Sequence, residues 1–591
     1  MAHLLLNPQL LACLVALPLA SPIQDVSGEL VDEVPTVSVL IPPKPAYRDL
    51  AETSELFSEW ARAWPASAEY VDLGKSRGDL ALFALRVGAP GGMPLMDRRT
   101  LLCIGGLDGI SLAGSEAVLA IAADLLREPT LLPRDVSVLC IPWANPDGLA
   151  AQLAFTRGER PCTRGRNALE VDDDLDDLFD EDGADDIDGD GLVTSMLVED
   201  LDGIWQRAAD DRFLVKAGLG EGPRFSLYRE GRDDDGDGEF NEDGPGGVRL
   251  DRNFPSEWCG PRSSLSPGSL PLSEPSSLAI AKLLEAPGVF AALYFEGSTG
   301  SVQGASEFAQ VGADAKNRRV EGSSLLVDLV HELFTKVIGP DGAAESRLPI
   351  SDPGSPATWA WRQLGVPSMR VSAWGPELGT ERGTASQTAM FSIRDEGQVV
   401  RVMPAEHGEE YGQLACPDGS LIMPWQIWLD ERRGGIGFVD WHPVALEGVG
   451  NVLVGGWEAL SVQNPPEDQL SDGVAGSVSL VRGVLEALPA ISLEITTASR
   501  DGELCTLKAV VQSTGVLPGD FFDRGGKQIR LSLPGGARLI AGAEETLWIP
   551  SEENSMLTIE WLVFAPVDAL LKVQLVSAAD EEIESEKEVR P

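Results

Sequence analysis

Two textures of apolar and polar positions divide the chain. Over its first four-fifths the chain carries short, mostly apolar runs: Leu80–Val87, Thr100–Gly106, Val136–Pro142, Val289–Phe295 and Met369–Trp374. Such runs predict strands buried on both faces. Between them, apolar residues recur at helical spacing over Leu50–Trp60, Ala113–Leu126, Ser276–Leu284, Leu325–Val337 and Val474–Leu488. Alternation of the two predicts an α/β fold, a mixed and mostly parallel sheet flanked by helices. Asn145-Pro146-Asp147-Gly148 reads as a turn closing a strand. From about Ala490 the period changes to two: Ile491–Ile495, Leu507–Val511, Ile529–Leu533, Leu557–Phe564 and Leu570–Val576 are separated by Gly, Pro and Asp clusters. That pattern predicts a small C-terminal β-sandwich.

A length of 591 residues fits two or three domains. The expected organisation is an export signal over 1–22, an α/β domain over 23–488 with an insertion at 170–247, and the sandwich over 489–591. Leu4–Leu6 and Leu10–Ala20 supply the apolar part of the signal, although no Lys or Arg precedes them. Asn7 and Pro8 interrupt the run, and no other stretch is long enough to span a membrane. A secreted or periplasmic protein is therefore expected.

The formal net charge of −47 argues against nucleic acid or an anionic membrane as partner. Glu170–Asp243 holds 27 acidic and 6 basic residues, so one short segment supplies nearly half of the imbalance. Its acidic clusters begin at Asp172-Asp173-Asp174-Leu175-Asp176, at Asp186-Ile187-Asp188-Gly189-Asp190-Gly191 and at Asp233-Asp234-Asp235-Gly236-Asp237-Gly238. The second and third match the start of a calcium loop, carboxylates at positions 1, 3 and 5 with Gly at 6. Position 12 is Leu197 or Gly244 rather than Glu, so neither is an EF-hand. Asp172, Asp174, Asp176, Asp186, Asp188, Asp190, Asp233, Asp235 and Asp237 are the candidate calcium ligands. Calcium is expected to fold a segment that lacks a hydrophobic core of its own.

Of seven cysteines, Cys103 and Cys140 lie in apolar strands and read as buried thiols. Cys162 and Cys259 flank the acidic segment, where a disulfide would staple its base.

Several landmarks occur in one order. They are Gly105-Gly106-Leu107-Asp108-Gly109-Ile110-Ser111 followed by Gly114-Ser115-Glu116-Ala117, then Asn145-Pro146-Asp147-Gly148 and Arg249-Leu250-Asp251-Arg252-Asn253-Phe254-Pro255. Pro271-Leu272-Ser273-Glu274-Pro275 and Trp359-Ala360-Trp361 before Leu364-Gly365-Val366-Pro367-Ser368 complete the set. Over residues 45–485 the chain resembles the zinc metallocarboxypeptidases of the carboxypeptidase A type, above all large exported bacterial members that carry an acidic insertion. The resemblance implies zinc held by two His and one Glu, with a Glu as general base on the zinc-bound water. The first two ligand positions fall on Asp108 and Ser111, the third on Glu296, and the base position on Ser372. The substrate-side Tyr is missing. The Asn-Arg pair that grips a substrate carboxylate reads Asp251-Arg252, so only Arg252 survives. The four histidines, His3, His331, His407 and His442, all lie away from these positions.

Three readings follow. The chain is a catalytically inactive carboxypeptidase-like protein that binds a peptide or peptidoglycan fragment in a retained groove. Alternatively it is an active metallocarboxypeptidase with a substituted metal. Asp108 and Glu296 suit a hard cation, but such an ion acidifies water less than zinc, and Ser372 is a poor proton acceptor. Thirdly, it is a structural envelope protein acting through its β-sandwich.

Overall fold

The computed structural model describes residues 47–590 except for internal segments, the longest being 158–164, 171–183, 305–325, 334–352, 374–391 and 402–433. The expected signal, Cys162, Asp172, Asp174, Asp176, Asp235, Asp237, His331, His407 and Trp374 lie outside the described residues.

Helix α1 (Leu50–Ala63) opens with a capping box. Asp49 accepts the Glu52 amide at 2.8 Å and Glu52 accepts the Asp49 amide at 2.9 Å, while Phe57 and Trp60 face inward. Strands β1 (Ala68–Lys75), β2 (Ala81–Gly88) and β3 (Arg99–Gly105) lead to helix α2 (Leu112–Arg127), strand β4 (Val136–Ile141) and helix α3 (Pro146–Thr156). The acidic insertion contributes β5 (Ser195–Glu199), β6 (Trp205–Arg207), β7 (Leu214–Lys216) and β8 (Phe225–Arg229). Then come α4 (Pro275–Leu284), β9 (Val289–Glu296), β10 (Val302–Gly304), the short helix α5 (Pro356–Trp359), β11 (Ser368–Ser372) and the hairpin β12–β13 (Ser392–Asp395, Gln398–Arg401). Strands β14 (Phe438–Leu446) and β15 (Gly450–Trp457) and helix α6 (Leu470–Ala487) follow.

The main sheet has the order β1-β2-β4-β3-β9-β11-β10. Its four central strands are parallel, and antiparallel pairs close both edges. Alternate residues serve opposite faces, as the double-sided apolar runs require. Leu101, Cys103, Val138, Cys140, Leu293 and Phe295 pack with α2 and α6. Leu102, Ile104, Leu139, Ile141, Ala292 and Tyr294 pack against the 250–254 turn, α4 and α5 on the other side. Cys103 and Cys140 are register partners and fully buried, and burial raises the Cys103 thiol pKa. The expected helix over Leu325–Val337 is described only in part, at residues 326, 329, 330, 332 and 333, all helical.

Two expectations need correction, and a third falls partly outside the described residues. The Asn145-Pro146-Asp147-Gly148 turn is the first turn of α3: Asn145 accepts the Gly148 amide at 3.1 Å, and Pro146 sits where a helix tolerates proline. Cys259 is exposed, and the partner expected for it, Cys162, lies outside the described residues. The acidic insertion does have a core. Its strands join β14 and β15 in a six-stranded sheet of order β14-β15-β5-β8-β6-β7. Met196, Val452 and Val454 cluster on one face, and Leu197, Leu214, Phe225 and Trp441 on the other.

The C-terminal strands are β16 (Ala490–Asp501), β17 (Leu504–Thr514), β18 (Lys527–Ser532), β19 (Arg538–Ala541), β20 (Glu545–Trp548), β21 (Met556–Phe564), β22 (Leu571–Ser577) and β23 (Ile583–Val589). They form two four-stranded sheets, β16-β17-β21-β19 and β20-β18-β22-β23. Leu507, Val511, Trp561 and Val563 of one sheet share a core with Ile529, Leu571, Val573 and Leu575 of the other. This is the sandwich that the period-two alternation predicts. Among the described residues no helix is long and apolar enough to cross a membrane.

Candidate functional site

The carboxyl ends of the central parallel strands are where an open α/β sheet presents its loops. Strand β3 ends at Gly105, and the following turn carries Asp108 and Ser111 into the start of α2. Asp108 is buried, and its Oδ1 accepts the amides of Ile110 at 3.1 Å and Ser111 at 2.9 Å. Ser111 caps α2, its hydroxyl oxygen accepting the Gly114 amide at 3.2 Å. Both side chains therefore shape the loop and the helix start.

Glu296 ends β9, opposite Ser372 on β11. It is 5% exposed, and its Oε2 accepts a hydrogen bond from Arg370 Nε at 2.7 Å. Burial, reinforced by Asp108 and Asp251, pushes the Glu296 carboxyl up to about 7 against the pull of Arg370.

Arg252 sits on the 3₁₀ turn Leu250–Arg252. Asp251, between two arginines, pairs with Arg249 at 3.0 Å and with Arg252 at 3.3 Å, all three side chains being buried. Burial alone would raise the Asp251 carboxyl, but Arg249, Arg252 and Arg370 outweigh it and hold the group well below the usual carboxylate range. The cluster thus alternates arginines and carboxylates, and each ion has a counter-ion at hand.

The residues do not fit zinc. The ion favours imidazole or thiolate with at most one carboxylate in such a site. Neither Asp108 nor Ser111 nor Glu296 offers a nitrogen, Asp108 spends one oxygen on two amides, and an arginine holds Glu296. Register brings Ser372 beside Glu296, and a serine has no carboxylate to take a proton from water.

The sequence reading missed Arg370 and Arg249. Arg370 was legible as a single charge inside an apolar strand, two residues before the base position and so on its face of β11. Arg249 offers no comparable signal, because a charged residue in a loop is unremarkable.

In the acidic insertion, the carboxylates of Asp186, Asp188 and Asp190 present oxygens within 4.8 Å of one another. Asp186 accepts the amides of Gly189, Asp190 and Gly191, Asp188 accepts that of Asp190, and Asp190 that of Leu192. Glu230, not singled out in the sequence, and His442, read there only as lying away from the motif positions, brace this loop. Buried Glu230 accepts the amides of Ile187 at 2.9 Å and Thr194 at 2.7 Å, and His442 Nε2 lies 2.8 Å from Asp188 Oδ2. His442 is thus partnered within the insertion's own sheet. Burial raises the Glu230 carboxyl pKa despite those amides. Asp233 lies outside the trio and is half-buried.

No protein-family model matches the chain, and no curated protein matches it. Among solved structures, thrombin-activatable fibrinolysis inhibitor aligns at 15% identity over 58% of this chain and 69% of its own, with a TM-score of 0.37. The carboxypeptidase A from Helicoverpa armigera aligns at 13% identity over 56% and 66%, TM-score 0.35. The murein-tripeptide amidase MpaA from Escherichia coli O157 aligns at 14% identity over 55% and 87%, TM-score 0.24. The chain is similar to these proteins at a level from which no chemistry follows, and its function rests on the residues of its own site.

Proposed function

We propose that this chain is an exported carboxypeptidase-like protein that binds a peptide or cell-wall fragment and does not hydrolyse it. One observation carries the reading: the strand ends that should present imidazoles and a general base present an Arg370–Glu296 ion pair and a serine instead. Arg252 is retained, paired with Asp251 on the turn where the resemblance places the residue that grips a terminal carboxylate. A peptide carboxylate would compete with Asp251 for it. Calorimetry with peptides bearing free or amidated C-termini tests the reading. Free-acid peptides are expected to bind, with affinity falling about tenfold or more in Arg252→Ala, the loss of one charged hydrogen-bond partner. Release of the C-terminal amino acid by the metal-supplemented protein would overturn it, and equal binding of both peptide forms would remove Arg252 from the role.

A second reading concerns the insertion. We infer that the Asp186–Gly191 loop takes calcium, supported by its three converging carboxylates and by backbone amides that preset their directions. Calcium would fasten the loop that leads into β5, in a sheet that already has its own core. Millimolar calcium is expected to raise the unfolding temperature of the intact protein. Asp186→Asn with Asp190→Asn should abolish most of that rise, and an undiminished rise in this double variant sinks the assignment.

A further inference from the structure

The chemistry that the resemblance implies needs a positive charge held among the side chains at the ends of β3 and β9. In this protein a side chain brings that charge. Arg370 lies on β11 with Tyr294 as its register partner, two positions before the Ser372–Glu296 pair, so its side chain shares a face with that of Glu296. Its Nε meets Glu296 Oε2 at 2.7 Å, with the Arg370 side chain 21% exposed and that of Glu296 6% exposed. Asp251, itself paired to Arg249 and Arg252, lies within electrostatic reach of Arg370, and Asp108 within reach of Glu296.

We propose that Arg370 is a built-in replacement for the metal ion, which neutralises Glu296 from within the chain and keeps divalent cations out of the site. A guanidinium remains protonated at any physiological pH and, unlike an ion, does not dissociate. For a metal to use Glu296 it would first have to displace the guanidinium. It would then sit beside that guanidinium in a largely desolvated place, where like charges repel far more strongly than in water. Loss of imidazoles alone would leave Asp108 and Glu296 as an oxygen site open to a hard cation. Arg370 closes that possibility, so the exclusion of metal is a positive feature of the site. The inference does not depend on peptide binding and is read out separately from it.

Arg370→Met tests it, since methionine keeps an unbranched apolar stem without the charge. Manganese binding would be followed on the intact protein by electron paramagnetic resonance, with thermal unfolding alongside, and compared with Arg370→Lys and with the double variant Arg370→Met/Glu296→Gln. The expected result is one additional manganese per chain in Arg370→Met, bound at least tenfold more tightly than any site that depends on Glu296 in the wild type. That ion should be missing in Arg370→Lys and lost in the double variant. A folded Arg370→Met protein that gains no ion overturns the proposal. So does a wild-type protein whose tightly bound zinc or manganese disappears in Glu296→Gln. Should Arg370→Met fail to fold, that wild-type comparison decides alone: metal content unaltered by Glu296→Gln supports the proposal.

Discussion

Glu116→Ala is expected to destabilise the α/β domain by about 3–5 kcal/mol, the cost of breaking a buried ion pair from one side. Glu116 lies on α2, and its two oxygens take separate partners: Oε1 the Arg48 amide at 2.8 Å, Oε2 the Arg48 guanidinium at 2.6 Å. The side chains are 9% and 8% exposed, so little water could replace the lost carboxylate. Glu116→Ala would take away the carboxylate that meets Arg48 in the interior and loosen the segment leading into α1. The pair itself need not be strongly stabilising, because taking both ions out of water costs nearly what their attraction returns. Arg48→Met combined with Glu116→Leu should therefore recover much of the loss. Urea unfolding of the three proteins checks this, and a single-variant loss under 1 kcal/mol would show that the pair is effectively solvated.

Gly114→Ala is expected to cost roughly 3 kcal/mol, at the upper end of what overpacking produces. A Cβ on Gly114 would stand 2.1 Å from the carbonyl oxygen of Phe295, on the neighbouring β9. The obstacle is backbone, so no side-chain rotation relieves it. Helix α2 would have to retreat from the sheet, carrying Ser111 with it and shifting the carbonyl next to Glu296. The measurement is again urea unfolding. A loss below 1 kcal/mol would mean that α2 does not press on β9 as closely as the structure has it.

These two residues change the meaning of the Gly114-Ser115-Glu116-Ala117 landmark. It belongs to the resemblance, yet its glycine permits a helix–sheet contact and its glutamate secures the chain's entry into the fold. Scaffold positions of this kind were legible because each leaves a trace in local sequence. The double-sided apolar runs gave β3, β4 and β9 to within one or two residues, and helical spacing gave α2 and α4 equally well. Strand β1 escaped notice because it is an edge strand, mostly exposed, with little apolar signal. Helix α3 escaped because Pro and Gly at its start look like a turn until the apolar residues after Gly148 are counted with them. The insertion's sheet was hidden for another reason. Its strands are three to five residues long, and composition there is dominated by acid. At the candidate site, Asp108, Ser111, Glu296 and Arg252 could be named from their positions in the resemblance. Arg370 could not: its charge stands out in an apolar strand, but it fills no position of the resemblance, and the carboxylate it meets is distant in sequence.

Pairing of Leu197 with Leu453 and of Met196 with Val454 has a consequence for synthesis. Strand β5 finds its partner more than 250 residues later in the chain, and that span contains the whole second half of the main sheet. A ribosome adding about 5–20 residues per second would leave one edge of β5 unpaired for on the order of ten seconds or more. An open edge beside Met196 and Leu197 is a surface on which other nascent chains can add strands. The crowded negative charge on either side of it is then useful before the protein is finished, since like-charged chains approach one another slowly.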